Sequence, residues 1–464
     1  MKSNIDVRGP RGPRGALGRG LWSHADFAQV WSAHTVSQVG SQITLVALPL
    51  TAALALRATP LEMGLLAATG TAPNLLFGLV AGAWVDRLPR RPVLIAMDLT
   101  RAALIAVVPA LAALGLLRMA TLYAVAFLAG VATLVFDLAA QSYLPALIGR
   151  DRLMEGNARL EASRSAATIA GPGLAGLVAQ VVGAPFALIG DALSFLGSAL
   201  FLARVRAPEA PHAPDADAGP RGVEGVRRDI VEGLRLVARD PILRAVFRTA
   251  ALWNLFVYVV QAVLVLFATR DLRLPPGALG LALAMLGVGM LPGAALVAPA
   301  RRRFGAGPTL IGSGFFAATS SLVLVAAGTV GRAHALPLLM ASQFIFGLGP
   351  MMFGITNTSL RQAAAPDHLQ GRVAATFRTV AWGTMPLGSL LGGALGARVG
   401  LLPTIAVGAL GMVLAVALLL FSPLPALREP PAPAEAPDTG GAAGAPDARA
   451  REAAPGAVSR ARAR

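Results

Sequence analysis

About twelve apolar runs of roughly 20 residues dominate this chain, and that is the length an α-helix needs to cross a bilayer. They fall near Phe27–Leu56, Glu62–Val85, Val93–Leu116, Leu122–Tyr143, Ser165–Val182 and Pro185–Val205. After a polar interval come Ile242–Ala268, Ala278–Pro299, Thr309–Thr329, Ala335–Thr358, Val373–Ala397 and Leu401–Phe421. The whole chain is 55% hydrophobic and 14% charged, with a mean hydropathy of +0.64, more apolar than a soluble core of this length requires. Lipid offers no partner to a backbone N–H or C=O, so the runs must be helices or closed barrel strands, and barrel alternation is absent. The expected fold class is an all-α membrane protein with 12 transmembrane helices.

Charge placement sets the topology. Six basic residues stand in odd-numbered loops (Arg57, Arg118, Arg270, Arg273, Arg332, Arg398), and Arg101 lies within a span. The other 33 of 40 occupy the termini, the even-numbered loops and the span ends beside those loops. This is the positive-inside pattern, which puts both termini in the cytoplasm of a bacterial inner membrane. A net charge of +16 is one that nucleic-acid binders share, but no soluble region here is large enough to concentrate it on one face.

Absences narrow the chemistry. With no cysteine there is no disulfide, thiolate metal site or cysteine nucleophile. Lys2 is the only lysine, so a phosphate-binding loop ending in Gly-Lys-Ser/Thr cannot exist. His24, His34, His212, His334 and His368 are scattered without metal-ligand spacing, and neither a metal nor another cofactor is expected.

Five regions are expected: a disordered tail over 1–20, a six-helix unit over 21–205, a cytoplasmic loop over 206–240, a second six-helix unit over 241–423, and a disordered tail over 424–464. The loop begins Pro/Ala-rich and acidic, like a flexible linker. It then places Val223, Val226, Ile230, Leu234 and Val237 at helical spacing among arginines. That pattern fits an amphipathic helix, on the inner membrane surface or on the ends of the bundle. The halves read as weak repeats at an offset of 217, pairing Gly171 with Gly388, Gly176 with Gly393, and Gly183 with Gly400.

Between the second and third runs stands Gly82-Ala-Trp-Val-Asp86-Arg87-Leu-Pro-Arg90-Arg91-Pro. This stretch resembles the loop 2–3 motif of the major facilitator superfamily, with Pro89 where the family has glycine. FDLAAQSYLP, NARLEAS and AGPGLAG are similar to the branch that holds macrolide exporters and the enterobactin exporter. The resemblance covers about Leu21 to Leu424 and implies two pseudo-symmetric six-helix bundles. It implies further that Asp86 meets the N-terminal end of the eleventh helix and joins the halves in the outward-facing state. A carboxylate there gains about 0.3–2 kcal/mol from unpaired N–H groups, enough to bias a gate and little enough to release it. Arg90 could then pair with Asp137, or Arg87, Arg90 and Arg91 could only set topology. The matching loop, PARRRFGAGP, has the arginines without the acid. Gly171, Pro172 and Gly176 resemble the exporter-type helix-packing motif, with Ala175 where the family has a glycine.

The resemblance also implies that the first, fourth, seventh and tenth helices line a central cavity. Those spans carry His34, Gln38 and Gln42; Asp137 and Gln141; Asn254, Tyr258 and Gln261; Gln343 and Asn357. Polar groups in a span are costly unless they face protein or water, so their clustering here supports a polar-lined cavity for an amphiphilic organic molecule. Without a nucleotide site, a proton gradient is the expected energy source. Asp98, Asp137, Asp191 and His34 are its candidate carriers, since the last six spans hold no acid. Asp98 precedes Arg101 by three residues and reads as half of an ion pair; Asp191 reads as hydrogen-bonded to nearby serines; Asp137 is the first choice. The chain is therefore expected to be no enzyme but a monomeric proton-driven exporter of a drug, antibiotic or secondary metabolite. The alternatives are a siderophore exporter, an importer of the same fold, an intramembrane enzyme or a sensor.

Overall fold

A computed structural model describes residues 21–85, 88–207, 235, 237–364 and 370–428. Twelve long helices occupy them. The first six are α1 (Ala25–Leu50), α2 (Pro60–Val85), α3 (Arg90–Ala113), α4 (Met119–Ile148), α5 (Leu153–Val182) and α6 (Ala184–Ala203). The second six are α7 (Pro241–Leu266), α8 (Pro276–Phe304), α9 (Ala306–Thr329), α10 (Ala335–Ala364), α11 (Gln370–Val399) and α12 (Leu401–Ala417). Ten of them are long and apolar enough to cross a membrane, and α2 and α11 pack on each other. Most of the proposed amphipathic segment in 206–240, together with the tails at 1–20 and 429–464, lies outside the described residues.

Local chemistry sets the helix ends. Thr59 and Glu62 form a capping box at the start of α2: the Thr59 N–H donates to Glu62 Oε2 at 2.7 Å, and the Glu62 N–H to Thr59 Oγ1 at 3.3 Å. Asp240 caps α7 by accepting from the Leu243 N–H at 2.7 Å, with Pro241 in the first turn. Gly183 and Gly400, the pair 217 residues apart, stop α5 and α11 at φ of 92° and 94°, a conformation that side chains resist.

Helix packing repeats when every label is advanced by six. In the first half α1 packs on α5 and α6, α3 on α4 and α6, and α2 on α4. In the second, α7 packs on α11 and α12, α9 on α10 and α12, and α8 on α10. The main contacts between the halves, α2–α11 and α5–α8, are each other's images.

Those contacts are concentrated at one end. The largest buried apolar cluster lies at the end remote from residues 21 and 428, and it contains side chains of both halves, including Ala53, Ala179, Val263 and Leu279. At the end bearing the termini, buried apolar residues divide by half. Val85, Leu94, Phe136 and Leu202 belong to one cluster; Val246, Leu310 and Leu360 to another; Leu243, Phe247 and Val373 to a third. Among the described residues no cluster at that end joins the two halves.

Candidate functional site

Glycine pairs close the remote end. A Cβ added to Gly64 on α2 would lie 2.7 Å from the Gly393 Cα on α11 and 2.6 Å from the Ser389 carbonyl oxygen. One added to Gly176 on α5 would lie 2.8 Å from the Gly280 Cα on α8 and 2.5 Å from the Pro276 oxygen. Only hydrogen fits at either crossing, and the missing side chains let the backbones touch. Two hydrogen bonds across the halves accompany them: Arg270 Nη2 donates to the Ala58 carbonyl at 2.7 Å, and the Gly277 N–H to Gln180 Oε1 at 2.9 Å. Sequence reading found Gly176 and Gly393 but missed Gly64 and Gly280. Their signal is a repeat at an offset of 216, in which Arg57, Pro60 and Gly64 match Arg273, Pro276 and Gly280.

The turns before α2 and α8 are also images. Five residues of π-helix end each preceding helix, Thr51–Ala55 and Phe267–Asp271. Arg57 and Arg273 then take φ of 53° and 54°. The left-handed region costs a residue with a side chain about 1–2 kcal/mol, so both turns hold the chain against local preference.

The exporter-type motif makes room for neighbours. Gly171 is buried against the Gln42 side chain of α1, and its image Gly388 against the backbone of Leu255 and the Cβ of Tyr258. Buried Pro172 lies at the α5–α8 crossing, its carbonyl against Gly280.

At the loop 2–3 motif, Asp86 and Arg87 lie outside the described residues. Gly82 is half-buried, with nothing within 4 Å of where a Cβ would stand. Arg91 donates to the Leu202 and Ala203 carbonyls at 3.0 and 2.6 Å, completing the end of α6. Arg90 is buried, and the charged groups that act on Asp137 include Arg101 and Arg164.

Asp137 and Gln141, one turn apart on α4, are exposed although they stand in a span. A carboxylate in such a position must face a water-accessible space and not lipid. Arg164 of α5 acts electrostatically on both His34 of α1 and Asp137, which brings three helices' charged or titratable groups to one region. Gln38 and Gln42 continue the α1 face, both half-buried.

Behind this face sits a buried ionic cluster in the first half. Asp98 and Arg101 of α3 are paired and fully enclosed. The guanidinium lies between the Phe136 and Phe195 rings, 4.2 Å from each centroid, where desolvation strengthens cation–π attraction. Asp191 of α6 accepts from Thr44 of α1 and from Ser194 Oγ, the latter at 3.0 Å. Sequence spacing anticipated the Asp98–Arg101 pair and the Asp191–Ser194 bond; the Thr44 contact, 147 residues away, has no local signal.

The second half contributes neutral groups. Asn254 Nδ2 donates to the Ala250 carbonyl of its own helix at 2.9 Å. Tyr258 and Gln261 are half-buried, whereas Gln343 and Asn357 are buried at 4% and 5% exposure, enclosed by protein and withdrawn from any open cavity. Trp253 stacks on Phe353, centroids 6.4 Å apart and planes at 14°.

Two six-helix bundles related by a pseudo-twofold, joined at one end and bearing mid-span polar groups on faces left unpacked, define a transporter of the major facilitator fold. The chain belongs to the transmembrane secretion effector (MFS_3) family, whose profile matches residues 21–438. It is thus a multi-pass membrane protein. It is 32% identical over 399 residues to the multidrug efflux pump Tap of Mycolicibacterium fortuitum, covering 84% of this chain and 93% of that protein. It is 30% identical over 382 residues to the pump of the same name from Mycobacterium tuberculosis (strain ATCC 25618 / H37Rv), covering 79% and 86%. Among solved structures it is similar to a bacterial homologue of the iron transporter ferroportin in its inward-facing state. There the TM-score is 0.69 at 16% identity over 87% of this chain and 99% of that one. The outward-facing structure of a bacterial ferroportin homologue gives a TM-score of 0.54 at 16% identity over 85% and 98%.

Proposed function

We propose that this protein is a proton-driven exporter of amphiphilic drug-like molecules, working by alternating access across the cell membrane, with both termini cytoplasmic. The observation that carries the reading is the one-sided junction between the halves. The remote end is shut by backbone-to-backbone glycine contacts, while the end bearing the termini leaves Asp137 and Gln141 open. With the termini inside, this is the inward-facing state, which loads substrate from the cytoplasm or inner leaflet. The better superposition on the inward-facing neighbour supports the same assignment. Two relatives named multidrug efflux pumps, at 30–32% identity over most of both chains, favour export of drug-like molecules over the siderophore, importer, enzyme and sensor readings.

Units 21–205 and 241–423 rock as rigid bodies in this account. Gly82, Asp86, Arg87, Arg90 and Arg91 of the loop 2–3 motif form the cytoplasmic gate when the remote end opens. Open space beside Gly82 is what that gate requires of a state in which it is parted. Asp137 is the proton carrier: it is a carboxylate within a span, exposed, and under the influence of two arginines. His34, Gln38, Gln42, Asn254, Tyr258 and Gln261 flank the substrate, and a monomer suffices because both halves are in one chain. The test is uptake of a fluorescent amphiphilic drug by inside-out vesicles. Uptake that collapses with an uncoupler supports the reading; uptake indifferent to the proton gradient excludes proton drive, and no uptake of any such compound excludes export.

A further inference from the structure

The two halves differ most in what fills the equivalent interior of each bundle. In the first half, the space among α1, α3, α4 and α6 holds the Arg101–Asp98 pair and the Asp191–Thr44–Ser194 contacts. Advancing the labels by six gives α7, α9, α10 and α12, and among these helices is a cavity of about 20 Å³; the residues 217 after Asp98, Arg101 and Asp191 (Phe315, Ala318 and Gly408) do not line it. Its polar lining is Gln261, Ser320, Ser321, Ser342 and Gln343, all neutral, and Gln261 lies 217 residues after Thr44. Ser342 Oγ donates to the Ser320 carbonyl at 2.8 Å and is satisfied. Ser320 Oγ and Gln343 Nε2 are not: each has no partner, in residues 1% and 4% exposed.

We propose that this cavity is a binding site for one water molecule, which links α9 to α10 inside the second bundle. Size selects the occupant, because one probe sphere of roughly 10–15 Å³ holds a water and this cavity has space for about one. Chemistry agrees: a buried donor without an acceptor and a hydroxyl without a partner are the groups that internal water satisfies. A bare cation does not fit, since the spans of this half hold no acid and an uncompensated buried charge is far costlier than a neutral molecule. An amide donor pointing inward would also oppose it. Bridging α9 to α10 and lying beside α7, the water ties the helices whose inner faces front the open space to the outer helix α9. The second bundle thereby moves as one body without an acid in its spans.

The experiment is a structure of the purified full-length protein at a resolution that shows ordered water elsewhere in the transmembrane region. It is paired with thermal unfolding of the wild type, Ser320→Ala and Ser320→Val, with and without sodium chloride replaced by choline chloride. Expected are a single peak within hydrogen-bond distance of both Ser320 Oγ and Gln343 Nε2, and a melting temperature indifferent to sodium. Ser320→Val, which fills the cavity and strands the Gln343 amide, should lose the peak and melt a few degrees lower than Ser320→Ala. An empty cavity among otherwise resolved waters overturns the proposal. So does a sodium-dependent rise in melting temperature that Ser320→Ala abolishes, which would make the occupant a cation.

Discussion

Arg101 shows how little a single residue's surroundings can be read from its neighbours in sequence. Its pairing with Asp98 follows from a three-residue spacing on a helix, but the two phenylalanine rings that enclose it come from α4 and α6. Removing one partner of a buried pair strands the other charge, at a cost of about 3–5 kcal/mol. Arg101→Ala should therefore lower thermal stability sharply, whereas the double variant Arg101→Met/Asp98→Leu should recover most of it; melting curves of the purified variants decide. Asp137 makes the opposite case. It is exposed, so Asp137→Asn should leave the melting temperature nearly unchanged while abolishing proton-driven uptake. Full uncoupler-sensitive uptake in Asp137→Asn would remove it as the obligatory carrier.

Among the helices, existence and order were legible because apolar length is a strong signal, and the features missed were those that depend on a partner. Gly176 and Gly393 stand out at an offset of 217, but each meets a glycine of the other half, and those partners repeat at an offset of 216. A one-residue slip in the repeat hid half of the seal. Gln343 was misleading for a related reason: helical spacing places it with other polar residues of α10, yet packing buries it against a small cavity inside the bundle. The seal makes a sharp expectation. Gly64→Val or Gly176→Val should oppose closure of the remote end by about 1–3 kcal/mol, the usual cost of overpacking. That corresponds to about 5- to 150-fold in the inward-to-outward ratio, read by labelling of a single cysteine introduced at the remote end. Gly82→Ala adds a Cβ with no atom within 4 Å in the present state, so it should spare inward-facing labelling and slow turnover by obstructing the opposite closure.

For the whole molecule, the twofold pattern of helix contacts is nearly complete while the charge pattern is not. Among the described residues, buried acids and their arginine lie in the first half alone, and the acid of the loop 2–3 motif belongs to the same half of the sequence. On this account energy coupling belongs to one bundle, and the other supplies neutral and aromatic surface, including the Trp253–Phe353 stack. Alternating access requires that the remote end open once per cycle. The absence of cysteine permits a clean test: replace Gln180 and Gly277, whose side-chain oxygen and backbone N–H now meet at 2.9 Å across the halves, by a cysteine pair. Join the pair with a short bis-thiol reagent in inside-out vesicles and measure uncoupler-sensitive drug uptake. The account predicts that cross-linking stops uptake and that reversal of the link restores it, with drug binding from the termini side retained throughout. Undiminished uptake in fully cross-linked protein would contradict it.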